Sequence, residues 1–288
     1  MTLKNLAQRS GVALIGTLFV FSASAQSQTA PSPNRYLTGT YQDLQYPLAP
    51  PPTDPDVLAI ELDQVRAAQF VDRSAREEAF ADAGAFDFYD LLPRFSVASG
   101  TTLSHTRRPI LAHMLRWAMA DTNSYGHDIK LAFARQRPFV VDPAIQPCAL
   151  SFLQPTNNMS YPSGHSTNGY VAALVLAKVM PTRAGSITAR GIRYGNNRVV
   201  CGVHFPSDVA AGQRFARFLF ARIEADPRFA ADLACARQED DADRNGTLPT
   251  RPPPGATAGP QPRSAYTPEC ARLDAAYYQE MLTDVPRR

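Results

Sequence analysis

Residues 163–179 read SGHSTNGYVAALVLAKV, and this stretch predicts a strongly apolar helix that begins at Ser163-Gly164 and ends before Pro181. The apolar part extends to residue 180, but Lys178 interrupts it and it has about half the length that a membrane span needs. The stretch therefore predicts a helix inside a folded domain.

Helical spacing recurs on both sides of this stretch. Apolar residues repeat at helical intervals over residues 57–81, after an Asp-Pro start at residues 54–55. Pro109 opens a second helix, and a further helix carries Lys130 and stops before Pro138. Other helices are predicted over residues 183–200, 206–225, 227–237 and 273–282. Because period-two alternation is absent almost everywhere, the sequence predicts an all-α fold, a single-domain helical bundle.

The two ends of the chain differ from this middle. Lys4 and Arg9 precede an apolar run at residues 11–21 and a small-residue site at Ala23-Ser24-Ala25, which together predict a signal peptide over residues 1–25, cut after Ala25. The expected location is periplasmic or secreted, with no membrane attachment after cleavage. The remaining predicted divisions are a proline-rich arm at 26–54, a folded domain at 55–237 and a C-terminal extension at 238–288.

Composition limits the classes of partner. A hydrophobic content of 44% supports a sizeable core, and a charged content of 19% is too low for a disordered chain. The net charge of +3 falls to +1 once Lys4 and Arg9 of the predicted signal peptide are removed, and this balance argues against nucleic acid or an anionic membrane surface as a partner. Any binding of anions must therefore come from a local cluster of basic residues.

Three short blocks hold the candidate functional residues. They are Lys130 with Arg137-Pro138, then Pro162-Ser163-Gly164-His165, and then Arg198 with His204 and Asp208. If the lysine and the two arginines converge, they can bind a dianion. Ser163-Gly164 is predicted to begin a helix, and the backbone N–H groups there would add to that binding. A neutral imidazole can attack phosphorus, a protonated one can donate to a leaving oxygen, and an Asp beside a histidine fixes its tautomer.

The three blocks resemble the signature of the type 2 phosphatidic acid phosphatase (PAP2) superfamily, and within it the bacterial class A non-specific acid phosphatases. The resemblance covers roughly residues 36–237 and is clearest in the helix after His165 and in residues 198–204. It implies a helical bundle of the PAP2/haloperoxidase type. It also implies hydrolysis of small phosphate monoesters through a phosphohistidine, with no metal or other cofactor.

The resemblance also implies a role for each residue of the blocks. The positions that match phosphate-binding residues of the family are Lys130, Arg137, Ser163, Gly164 and Arg198. His165 matches the general acid, His204 the nucleophile and Asp208 the carboxylate that orients it. Asn197 departs from the family, which usually has serine before the arginine of the third block; because asparagine still donates a hydrogen bond, altered detail is expected rather than lost activity.

Other functions are compatible with the same blocks. A vanadium-dependent haloperoxidase uses this anion pocket for vanadate and is the main alternative. A lipid phosphate phosphatase is disfavoured because no membrane helices are predicted, and a catalytically dead binding protein because both histidines and Asp208 are present. The sequence leaves open the physiological substrate and whether the protein forms a homo-oligomer.

Four cysteines, at positions 148, 201, 235 and 270, remain after the predicted signal peptide. An even count in an exported protein suggests disulfides, and none of the four has the spacing of a metal ligand. Spacing alone leaves three pairings open. The favoured hypothesis pairs Cys148 with Cys201, beside the first and third blocks, and Cys235 with Cys270, which would anchor the extension.

Overall fold

The computed structural model describes residues 35–148, 159–249 and 266–283, and within them it contains helices, turns and loops but no β-strand. The prediction of an all-α fold is confirmed. The predicted signal peptide lies outside the described residues. The α-helices are α1 (Pro55–Ala68), α2 (Arg73–Ala83), α3 (Phe88–Leu91), α4 (Ser96–Ser99), α5 (Pro109–Phe133), α6 (Pro138–Val141), α7 (Gly164–Val179), α8 (Ala184–Val200), α9 (Pro206–Glu224), α10 (Pro227–Arg244) and α11 (Pro268–Thr283).

Helix α7, formed by the stretch quoted first, lies at the centre and packs against α5, α8 and α9. Its apolar side chains are buried along almost its whole length, as expected for a helix without a polar face. Gly169 of α7 approaches Tyr194 of α8 so closely that an added Cβ would overlap the ring. Small residues at such points let two helix backbones come close, which fixes the start of α7 relative to the end of α8.

Two helix boundaries differ from the sequence prediction. The helix predicted over residues 57–81 is divided into α1 and α2, because Asp72 caps a new helix by accepting a hydrogen bond from Ala75 N at 2.8 Å. The two helices predicted between Pro109 and Phe133 are one continuous helix of 25 residues. No proline follows Pro109 within that helix to stop it.

The C-terminal part of the chain is built into the bundle. Helix α10 continues to Arg244, so the boundary predicted between residues 237 and 238 falls inside a helix. Helix α11 packs against α5, and the Cys235–Cys270 disulfide joins it to α10. The division of the chain into a domain and an extension stays a prediction, but α11 is in contact with the helix that carries Lys130.

Both favoured disulfide pairings are present, and the Cys148–Cys201 bond joins the segment after the first block to the third block. The described part of the predicted arm is partly built into the core, since Tyr36 is buried and donates to Asp232 at 2.8 Å; further along it, Ala49 O accepts a hydrogen bond from the Tyr161 hydroxyl. Among the described helices, none combines the length and the apolar character needed to cross a membrane.

Candidate active site

The three sequence blocks meet where the ends of several helices converge. Each predicted residue lies in a terminal turn or beside one: Lys130 at the end of α5, Arg137 before α6, Ser163, Gly164 and His165 at the start of α7, Arg198 at the end of α8, and His204 and Asp208 at the start of α9. Apart from Gly164, their side chains are buried. All eight predicted residues are thus brought to one site.

The hydrogen bonds of His204 define its tautomer. Arg137 Nη1 lies 3.2 Å from His204 Nε2, and because an arginine can only donate, Nε2 accepts with its lone pair. The neutral ring therefore carries its proton on Nδ1, which lies 3.3 Å from Asp208 Oδ2. Burial, followed by the charges of Arg137, Lys130 and Arg198, lowers the pKa of His204 well below its usual value. The ring is held neutral, with its lone pair directed toward the cations.

Asp208 is fully buried and surrounded by donors. Its Oδ2 accepts hydrogen bonds from Phe205 N at 2.8 Å and from the Ser160 hydroxyl, which is also 3.4 Å from His204 Nδ1. Its Oδ1 accepts from Arg135 Nη1 at 2.6 Å. The carboxylate is therefore fixed from both sides while it orients the imidazole.

His165, in the first turn of α7, is oriented by a different contact. Its Nε2 lies 3.1 Å from Ala83 O, and because a carbonyl only accepts, Nε2 carries a proton. The ring lies against Phe86, with 4.8 Å between centroids. Burial, and then the charge of Arg198, lowers the pKa of His165 well below its usual value. A second proton on this ring has to be placed on Nδ1, and the surrounding cations oppose it.

The three cations of the site are buried at close quarters. Burial and then Arg137 lower the pKa of Lys130 to about 7, although Asp208 opposes the shift. Burial lowers the pKa of Arg137 to about 10, again against the effect of Asp208. Burial also lowers the pKa of Arg198 to about 10, and its Nε and Nη1 have no hydrogen-bond partner among the described residues. A dianion placed here would relieve both the desolvation and the mutual repulsion of these charges.

Ser163 and Gly164 begin α7 in a way that only partly matches the sequence argument. The Ser163 N–H donates to Asp208 O at 3.0 Å, so this backbone group is already used and does not add to anion binding. The Ser163 Oγ accepts from Ser166 N at 3.3 Å as an N-cap, and its hydroxyl proton is left to donate. Gly164 faces Phe86 and Lys130, and an added Cβ would lie 3.4 Å from the Phe86 ring.

Three residues of the site were not found from the sequence. Arg135 lies inside the first block and Ser160 three residues before Ser163, so position alone could have drawn attention to both. Glu61, on α1, pairs with Arg135 at 2.8 Å and is recognisable only from the fold. Asn197, which departs from the family pattern, donates to Asp82 Oδ2 at 2.8 Å, and Arg198 still reaches the site.

A cavity of about 250 Å³ adjoins one of the three cations, Lys130, and Gly164 also lies in its wall. The other lining residues are Phe86, Thr122, Asn123, Gly126, His127, Pro162 and Thr167. This mixture of apolar and hydrogen-bonding side chains is typical of a small-molecule site. Within the described ranges, no three His, Cys, Asp or Glu side chains form a group that could hold a metal ion.

Residues 112–223 of the chain match the family model described as the PAP2 superfamily. An acid phosphatase from Zymomonas mobilis is 32% identical over 224 residues, which cover 76% of this chain and 84% of that protein. A non-specific acid phosphatase from Salmonella typhimurium is 31% identical over 199 residues, which cover 68% of this chain and 79% of that protein. The matched residues 112–223 include every block residue described above. The chain therefore belongs to the PAP2 superfamily.

Proposed function

We propose that the chain is an acid phosphatase that hydrolyses phosphate monoesters through a phosphohistidine on His204, without a metal ion. The names of its relatives, acid phosphatase and non-specific acid phosphatase, support the reaction class. The observation that carries the proposal is the orientation of His204: Nδ1–H points to Asp208, and the Nε2 lone pair faces a cluster of buried cations.

The cations would bind the phosphoryl group of the substrate. Arg137 and Arg198 can each offer two donors to a phosphate, and Lys130 contributes a point charge. The Ser163 hydroxyl adds a neutral donor. The cavity beside Lys130 and Gly164 would receive the organic part of a small phosphomonoester, so phosphorus would lie between that cavity and His204.

The reaction proceeds in two displacements. First, the Nε2 lone pair of His204 forms a bond to phosphorus while the ester P–O bond breaks, and the leaving oxygen takes a proton from His165. Then water attacks phosphorus and returns a proton to His165, and the N–P bond breaks with its electron pair going back to Nε2. Asp208 balances the positive charge that develops on the His204 ring in the first step.

The proton on His165 depends on the bound substrate. In the ligand-free site the pKa of His165 is lowered by burial and by Arg198, which disfavours the charged ring. A phosphate dianion offsets the neighbouring cations and raises that pKa, so substrate and proton bind together. Because Nε2–H is directed at Ala83 O, the transferred proton lies on Nδ1.

Trapping the covalent intermediate tests this proposal most directly. Phosphohistidine is stable in alkali, so an alkaline quench during turnover of para-nitrophenyl phosphate, followed by peptide mass mapping, should locate phosphate on His204. His204→Ala should lower kcat/KM by at least about a thousandfold, whereas His105→Ala, a matched control outside the site, should retain activity. A phosphoenzyme on any other residue would refute the nucleophile assignment.

Metal independence and the haloperoxidase alternative have their own tests. We expect EDTA to leave phosphatase activity intact and orthovanadate to inhibit strongly as a mimic of the transition state. Activity lost in EDTA and restored by a divalent ion would contradict the proposal. Bromide oxidation by vanadate-loaded protein with peroxide, without phosphatase activity, would favour the haloperoxidase.

Export is proposed on the pattern of residues 1–25 and on the two disulfides, which form in oxidising compartments. Expression in a bacterial host with intact export should yield a periplasmic or secreted protein whose N-terminal residue is Gln26. A full-length protein retained in the cytoplasm with free thiols would contradict this part of the proposal.

A further inference from the structure

The two oxygens of Asp208 are held by different groups. Oδ2 faces His204, Ser160 and the Phe205 N–H. Oδ1 accepts from Arg135 Nη1 at 2.6 Å, and this is the contact that brings a positive charge to the side of the carboxylate turned away from the imidazole. Arg135 therefore touches the group that orients the nucleophile.

Arg135 is itself fixed in place by several contacts. Its Nη2 donates to Glu61 Oε2 at 2.8 Å, its Nη1 also donates to Ser207 Oγ at 2.7 Å, and its guanidinium lies over the Phe205 ring at 3.9 Å. Glu61 Oε1 in turn accepts from Ser207 N at 2.7 Å. The arginine thus bridges two buried carboxylates, and its charge cannot move away from Asp208 without breaking its ion pairs to both.

We propose that Arg135, held by Glu61, is a positioning residue whose charge beside Asp208 Oδ1 keeps the Nδ1 proton on His204 throughout phosphoryl transfer. This inference rests on the proposed phosphohistidine route. When water attacks the intermediate, the N–P bond breaks easily only if His204 leaves as a neutral imidazole, which requires the proton still on Nδ1. If Asp208 took that proton, the leaving group would be an imidazolide anion.

Loss of Arg135 should affect the two displacements, formation and hydrolysis of the phosphohistidine, unequally. Without the charge of Arg135 beside Oδ1, the Nδ1 proton of the phosphorylated ring moves more readily toward the carboxylate. This leaves the attack by His204 on substrate little affected but slows hydrolysis of the intermediate. Arg135→Met should therefore lower kcat by about tenfold to a hundredfold, with a smaller fall in kcat/KM. Phosphoenzyme on His204 should accumulate during turnover and give a burst of nitrophenolate.

Arg135→Lys and a control variant separate positioning from folding. Lysine keeps the charge but not the bidentate reach, so we expect a smaller burst and a partial return of kcat. Arg217→Met removes a different arginine, on α9, which also lies over an aromatic ring, that of Tyr170 at 4.9 Å, and should keep wild-type kinetics. If Arg135→Met fails to fold, the burst in Arg135→Lys decides the question.

Burst amplitude, kcat and kcat/KM are measured by quenched flow and steady-state assay on the same preparations. Equal falls in kcat and kcat/KM with no burst in the Arg135 variants would overturn the inference and leave only a structural role. If the wild-type enzyme itself yields no phosphohistidine on His204, the proposed function fails instead, so the two failures are distinguishable.

Discussion

Arg108 and Arg198 are buried to the same depth, with 0% and 1% of their surfaces exposed, yet their surroundings are opposite. Arg108 donates to Asp240 at 2.8 Å and to Asp243, although its Nε has no hydrogen-bond partner in the described residues. Burial disfavours its charge, but the bonds to Asp243 and Asp240 outweigh that effect and raise its pKa. Burial lowers the pKa of Arg198, with Arg137 adding to the effect.

The difference separates a cation that holds the fold together from one that is kept for a ligand. The desolvation of Arg108 is compensated inside the protein by two carboxylates from α10. No such carboxylate pair compensates the desolvation of Arg198 among the described residues. Its buried charge therefore lowers the stability of the fold until a phosphoryl group binds and offsets it. Each prediction below would break or sharpen this contrast, beginning with the largest expected effect.

Arg198→Met should abolish activity without harming the fold. Loss of a guanidinium that stabilises a transferring phosphoryl group costs about a thousandfold or more in kcat/KM. Because methionine removes an uncompensated buried charge, the melting temperature should stay unchanged or rise. Steady-state kinetics and thermal melts of the purified variant give both numbers. A large fall in melting temperature would mean that Arg198 is structural, as Arg108 is.

Arg108→Met should do the reverse. It leaves Asp240 and Asp243 buried without that cation, which costs about 3–5 kcal/mol of unfolding free energy. Protein that remains folded should keep kcat/KM close to the wild-type value, since Arg108 does not belong to the catalytic site. Denaturant unfolding and assays at low temperature test this. A loss of kcat/KM as large as that of Arg198→Met, in folded protein, would contradict the contrast.

The sequence predicted the role of Arg198 in the site but gave no indication of the partners of Arg108. The block residues, Arg198 among them, could be identified because they follow fixed local spacings at helix ends. The partners of Arg108 come from α10, more than a hundred positions away, and Glu61 reaches Arg135 in the same non-local way. Pairings of this kind depend on tertiary packing and leave no periodic signal in the sequence.

Some helix boundaries were predicted wrongly for a related reason. The all-α class follows from periodicity, but the division between α1 and α2 depends on whether Asp72 acts as a cap, and a single Asp is ambiguous in sequence. The continuation of α10 beyond residue 237 brings Asp240 and Asp243 against Arg108. The segment that its composition assigned to a terminal extension therefore supplies both carboxylates that pair with Arg108.

His165→Ala tests whether the second histidine transfers a proton or only completes the cationic pocket. An alkoxide needs a proton to leave, and nitrophenolate needs little help. General acid catalysis contributes about a hundredfold to ten thousandfold, so hydrolysis of glycerol phosphate should fall by at least about a hundredfold more than that of para-nitrophenyl phosphate. The values of kcat/KM for both substrates in the two proteins decide it. Equal losses would mean that His165 binds phosphate or supports structure.

The smallest expected effect concerns Lys130, the one block cation whose charge changes near neutral pH. Burial and the charge of Arg137 lower its pKa to about 7, whereas Arg137 and Arg198, with pKa values of about 10, stay charged at pH 8. Lys130 binds a dianion well only while it is protonated, so affinity should be full below pH 7 and decline as the pH rises through 7. Between pH 6 and pH 8 the titration of Lys130 should by itself raise the inhibition constant of a dianion about tenfold, one factor of ten for each pH unit above the pKa.

Sulfate is a suitable probe of Lys130 because it is a dianion throughout this pH range. His165 and His204 stay neutral in the free enzyme, since their pKa values lie well below the usual one. Competitive inhibition by sulfate, measured at half-unit steps of pH, gives the profile. Lys130→Arg keeps its charge at every pH tested, so its profile retains only the proton uptake by His165 that accompanies anion binding and should be shallower than the wild-type profile by about tenfold. A wild-type profile as flat as that of Lys130→Arg would show that Lys130 stays protonated, and that its charge is compensated within the fold as the charge of Arg108 is.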